Sequence, residues 1–170
     1  MKKLDALFRS DGVFRVLRAA AVAAGVIGTL LAAWLAAIGI SCLSWGIGEQ
    51  MNDMIAAAAT GLLTVLAVGV CCWRALAVFI RMVGRLSRGS AFTEENARAM
   101  AAIANMLALS GAALLAAMAA LLVICRGLAL PMIFLLLVSL AFFGLALIAY
   151  ALDVLVRRAA ALQQDSDLTI

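Results

Sequence analysis

The charged residues of this 170-residue chain are spaced so that four long stretches contain none. Thirty residues separate Arg18 from Glu49, 20 separate Asp53 from Arg74, 27 separate Arg98 from Arg126, and 26 separate Arg126 from Asp153. A bilayer's hydrocarbon core takes about 20 apolar helical residues, so each stretch crosses once and none crosses twice. Lipid offers no partner to an unpaired backbone N–H or C=O, which leaves the helix as the only form for these crossings. The chain is therefore expected to be all-α: a polytopic membrane protein with four antiparallel transmembrane helices, near 19–43, 54–80, 97–125 and 129–153, in a single domain. Its composition agrees. With 68% hydrophobic and 13% charged residues, it carries half the charge of a typical soluble domain, too little to cover a water-facing surface. The first uncharged stretch exceeds the roughly 7–15 residues of a secretory h-region and reads as a retained span.

Orientation follows from the basic residues of the short loops. Four crossings put Lys2, Lys3, Arg9, Arg15, Arg18, Arg74, Arg81, Arg85, Arg88, Arg98, Arg157 and Arg158 on one side, and only Arg126 on the other. That asymmetry places both termini in the cytoplasm and the protein in the cell (inner or plasma) membrane. The cytoplasmic side then holds twelve basic and seven acidic residues, net +5, and the outer side one basic and two acidic, net −1. A basic surface at the membrane attracts anionic lipid. This accounts for the overall charge of +4 better than direct nucleic-acid binding does.

Local signals refine the boundaries. Leu4, Leu7 and Phe8 sit at helical spacing among basic residues and suit a short interfacial helix. Ser10-Asp11-Gly12 breaks that segment and can cap the first long helix. Trp45 falls in the outer aromatic belt, and Trp73 and Tyr150 in the inner one. Arg81 to Phe92, with Gly84, Ser87, Gly89 and Ser90, reads as a linker. Thr93 is then an N-cap, with Glu94 and Glu95 where negative charge meets a positive helix end. Gly127 and Pro131 suit a tight turn into the fourth helix. That helix overshoots the bilayer through the i,i+4 pair Asp153 and Arg157 and continues over Ala159 to Gln164, while Asp165 to Ile170 show no helical period.

Chemistry inside the membrane is sparse. No ionisable residue lies near the middle of any span, where ion-coupled transporters usually place one. Arg74 is close enough to the boundary to snorkel. Each span carries one hydroxyl near mid-depth: Thr29, Thr64, Ser110 and Ser139. These either form an interhelical layer or, as the simpler reading, bond their own helix four residues back. Asn105 is the better candidate for an inward-facing polar contact, though packing explains it more simply than a site. Ala112, Ala116 and Ala120 beside Gly111, and Ala57 with Gly61, form small-residue seams. Such seams join helices within one chain or copies in a homo-oligomer, and both stay open.

Cys42 and Cys125 fall at the outer ends of their spans, where a disulfide is geometrically allowed, while Cys71 and Cys72 lie toward the reducing side. Neither pattern has metal-ligand spacing, and the chain has no histidine. No nucleophile–base set and no phosphate loop are present. The expectation is a non-enzyme with no cofactor and no metal.

Two short segments carry a resemblance. Gly89-Ser90-Ala91-Phe92-Thr93-Glu94-Glu95-Asn96 leads into the third span, and Ala161-Leu162-Gln163-Gln164-Asp165-Ser166-Asp167-Leu168-Thr169-Ile170 ends the chain. With four spans and this length, they resemble an uncharacterised family of prokaryotic membrane proteins, domain of unknown function 2975. The resemblance implies a four-helix inner-membrane protein without established catalytic activity, often encoded beside a small helix-turn-helix transcription regulator. It thereby points to a regulatory or interaction protein holding that partner at the membrane. Because a helix-turn-helix protein's DNA-binding face is basic and this cytoplasmic side is also net basic, simple DNA mimicry is disfavoured. The contact residues would be Arg85, Arg88, Phe92, Thr93, Glu94, Glu95, Asn96, Asp165, Asp167, Leu168 and Ile170. The alternative is a small transporter or channel component acting as an oligomer, with Asn105 and the mid-depth hydroxyls along its path.

Overall fold

A computed structural model describes residues 11–86, 93–124 and 129–167. They form four helices and no strand: α1 (Asp11–Gly48), α2 (Asn52–Leu86), α3 (Glu94–Ile124) and α4 (Ala129–Asp167). All four are long and apolar enough to cross a membrane. With 38, 35, 31 and 39 residues, they are about 46 to 58 Å long at ~1.5 Å per residue. A hydrocarbon core is about 30 Å thick, so each helix has turns to spare at its ends. α4 departs from the sequence expectation here, continuing helically through Asp165 to Asp167.

Most large apolar side chains face outward. Leu30, Trp34, Leu63, Val123, Phe134 and Leu147 are all more than 60% exposed, which is the reverse of a soluble core. The buried residues are mostly small, with Ala21, Ala75, Ala97, Ala104, Ala117, Ala146 and Ala149 among them. Lipid tails are as apolar as leucine, so helices in a membrane gain little by hiding large side chains from them. They gain by close van der Waals approach, which small residues permit.

The packing is sequential: α1 lies along α2, α2 along α3 and α3 along α4, and no other pair packs to a comparable extent. The result is an open layer rather than a closed four-helix bundle. Its antiparallel register is visible residue by residue. Along α1, Gly25, Gly39 and Gly46 face Leu76, Leu62 and Ile55 of α2 in descending order. A Cβ at Gly39 would fall 2.9 Å from both Cγ and Cδ2 of Leu62, and one at Gly46 would fall 3.1 Å from Ile55. The glycines are notches that seat these side chains. Between α3 and α4, Gly111 faces Phe143, with a Cβ there 3.1 Å from the ring, and accepts a bond from Ser139.

Four of the buried positions of α4, Met132, Ser139, Ala146 and Asp153, recur at the seven-residue spacing of coiled-coil packing, and the fifth, Ala149, lies between the last two. On α3 the buried stripe is Ala104, Ser110, Gly111, Leu114 and Ala117. The seam at Ala112, Ala116 and Ala120 is not the one that meets α4. Ala112 and Ala116 are exposed and Ala120 is only half-buried, because the contact with α4 is centred on Gly111.

α1 ends in a Schellman arrangement around Gln50, the one non-glycine residue with positive φ among the described residues, at 56°. The Met51 N–H donates to the Gly46 carbonyl at 2.9 Å and the Gln50 N–H to the Ile47 carbonyl at 3.3 Å, satisfying carbonyls that a helix end otherwise leaves open. Only 49–51 separate α1 from α2, a tighter turn than the gap between spans expected near 19–43 and 54–80. α3 starts as expected: the Asn96 N–H donates to Thr93 Oγ1 at 3.4 Å, and the Ala97 N–H to the Thr93 carbonyl at 3.2 Å.

Candidate functional site

The antiparallel order brings the start of α1, the end of α2, the start of α3 and the end of α4 to one end of the layer, called here the terminal end. Charged contacts concentrate there. The Arg85 guanidinium, in the last turn of α2, reaches Glu95 in the first turn of α3 at 3.5 Å. Arg98 pairs with Glu94 one turn earlier at 3.1 Å. Both pairs are largely solvent-exposed, so each contributes at most about 1 kcal/mol. They do fix charge geometry, because the acidic groups expected to meet a partner already face arginines of their own chain.

Two further polar side chains lie deeper at this end. Asn96, the last residue of the Thr93-Glu94-Glu95-Asn96 segment, is 2% exposed, and neighbouring Ala97 is fully buried. Asp153 is 4% exposed, and its Oδ1 accepts a bond from Arg157 Nε at 2.9 Å. The register set by Ser139 on Gly111 puts Asp153 level with Ala97, so Asn96 and Asp153 lie at similar depth. Asp153 was legible in the sequence only as half of an i,i+4 pair on an overshooting helix. The seven-residue spacing Met132, Ser139, Ala146, Asp153 is the signal that carries it inward.

Arg81, read from sequence only as a linker flank, stands on the α2 side of a cleft between α2 and α3. Val78, Arg81, Arg85, Glu95, Arg98 and Ala99 line this cleft, which has a volume of about 290 Å³. Arg81 Nε donates to the Ala77 carbonyl at 3.2 Å.

The mid-depth hydroxyls divide. Thr29 Oγ1 donates to the Gly25 carbonyl at 2.7 Å, Thr64 Oγ1 to Thr60 at 2.8 Å and Ser110 Oγ to Met106 at 2.9 Å. These are the local bonds that hydroxyls in helices commonly make. Ser139 departs from that pattern. Fully buried, it donates across the interface to the Gly111 carbonyl at 2.9 Å. Ser110 is also buried, and the Cys72 side chain of α2 lies within hydrogen-bond reach of it. Ser110, Ser139 and Cys72 therefore form a small polar layer joining α2, α3 and α4, while Thr29 faces away from it. Asn105 is a correction: its side chain is exposed, not turned inward. The α3 stripe that meets its neighbours passes through Ala104, and the next position along the helix points roughly 100° away.

Several expected contacts fall elsewhere. Arg88, Phe92, Leu168 and Ile170 lie outside the described residues, as does the interfacial helix before Ser10. Asp165 and Asp167 lie in the last turn of α4. Cys42, Cys71 and Cys72 are free thiols; Cys125, the expected partner of Cys42, lies outside the described residues.

A family model described as a protein of unknown function (DUF2975) matches residues 42–170. The match takes in the last two turns or so of α1 and all of α2, α3 and α4. Among curated proteins and among solved structures, nothing matches.

Proposed function

The chain belongs to the DUF2975 family of proteins of unknown function, and from that premise we propose that it is a non-enzymatic membrane interaction protein whose terminal end binds a cytoplasmic partner. The observation that carries this reading is the length of α4. From Asp153 to Asp167 the helix runs on for about 21 Å, more than a boundary anchor needs, beside the polar start of α3. The excess of basic residues at this end supports a cytoplasmic location by the positive-inside rule. A small helix-turn-helix transcription regulator is the partner class to which the family resemblance points.

The ion pairs sharpen how such a partner would be held. Glu94 and Glu95 pair weakly with Arg98 and Arg85, so a partner meeting them competes with arginines of this chain. The extended helix and the segment after it form the better docking element. A transport path within a single chain finds less support in these side chains. Asn105 faces outward, three mid-depth hydroxyls bond their own helices, and Ser139 is fully buried in a helix contact.

Co-purification from membranes is the test. A neighbouring-gene regulator should be retained by the full chain and lost when residues 160–170 are deleted. If the regulator never associates with membranes containing the full chain, the reading fails.

A further inference from the structure

The cleft between α2 and α3 combines three features that the partner reading does not use. First, its charge is unbalanced. Three guanidiniums, Arg81, Arg85 and Arg98, line it with a single carboxylate, Glu95. Glu94, one turn away, engages Arg98, and Arg85 engages Glu95. Arg81 donates to the Ala77 carbonyl and forms no ion pair among the described residues.

Second, its depth is that of a lipid headgroup. Arg81 stands just past the second span as judged from sequence, and Arg98 is the last charge before the uncharged stretch of the third. Val78 and Ala99 supply apolar walls among the lining residues. Three turns earlier on α2, Val70 is exposed on the same face of the helix as Arg81, where an acyl chain would lie. Third, the cleft is small. At about 290 Å³ it falls at the low end of ligand sites, a size that suits a headgroup.

We propose that Arg81 and Arg98, with Arg85 held beside them by Glu95, bind the phosphate of an anionic phospholipid. Arginine suits this role because its planar fork donates two parallel N–H bonds to phosphate oxygens. The bilayer supplies the ligand at high local concentration, so no steep intrinsic affinity is needed. Free inorganic phosphate offers the same oxygens but lacks that advantage, and it is the competing source.

The purified full-length protein in neutral detergent is titrated with short-chain phosphatidylglycerol, short-chain phosphatidylcholine and inorganic phosphate, and binding is read by native mass spectrometry and by thermal shift. Phosphatidylglycerol should bind about tenfold or more tightly than phosphatidylcholine, in line with electrostatic preference for anionic lipid. That preference should fall several-fold in R81Q and vanish in R81Q/R98Q. It should survive in R15Q/R18Q, which removes the same charge from α1. Helical content by circular dichroism confirms that the variants fold, and R81Q alters an exposed side chain only. Equal binding of the two lipids overturns the proposal, as does equal loss in R15Q/R18Q. Phosphate binding as tightly as phosphatidylglycerol overturns the lipid source. No partner is present in this assay, so its failure leaves the partner reading untouched.

Discussion

At the scale of the residue, Asp153 has the least favourable surroundings. A carboxylate with 4% exposure is stabilised by the guanidinium one turn away, in a charge-assisted bond of 2.9 Å. Removing one partner of a buried pair harms more than altering both, because it leaves an uncompensated charge. Arg157 is half-exposed, which moderates the effect. Arg157→Gln should therefore destabilise the protein by about 1–3 kcal/mol, and Asp153→Asn by less, since the amide keeps its shape and one acceptor without the charge. Thermal unfolding of the two variants in detergent checks the order; a larger loss in Asp153→Asn would contradict it. Ser139 and Gly111 show the same dependence in neutral form. The hydroxyl donates to a backbone carbonyl at a position where a Cβ would press on Phe143, so bond and close approach support one another.

At the scale of the element, the helix ends are set by chemistry that is only partly written in the sequence. The start of α3 was legible because Thr93 has the side chain an N-cap needs, and acidic residues follow it. The end of α1 was not. Glycine is the usual residue at the left-handed position of a Schellman cap, and Gly48 lies nearby, but Gln50 occupies that position. A non-glycine residue there carries a penalty of roughly 1 kcal/mol. Gln50→Gly should accordingly raise stability by up to about 1 kcal/mol, seen as a higher unfolding temperature, whereas Gln50→Ala should give no gain. The four spans were legible from charge spacing alone, because twenty uncharged residues leave a chain no other arrangement in lipid. Which face of each helix turns inward was not. A helix that is apolar all round carries no moment to read, and α3 illustrates this. Its small residues occur on two faces; Ala112 and Ala116 are as small as Ala104 and Ala117, yet only the second pair meets a neighbour. Asn105 was misplaced for the same reason.

At the scale of the whole molecule, the order of packing sets what the protein presents. α1 touches one neighbour along a stripe of small residues and leaves its remaining faces to lipid, so the α2–α4 unit covered by the family match holds every buried polar group among the described residues. The three described ion pairs also lie within that unit, at the terminal end. Partner binding requires this end to face the cytoplasm, and the charge asymmetry of twelve basic residues against one is the reason to expect it. The most direct measurement is labelling with a membrane-impermeant thiol reagent in a cysteine-free background, with one cysteine introduced at Gln50 in the α1–α2 turn or at Ala161 on the extended α4. Gln50→Cys should label in intact spheroplasts and Ala161→Cys only after permeabilisation. The reverse pattern would contradict the proposed orientation and, with it, the cytoplasmic partner reading.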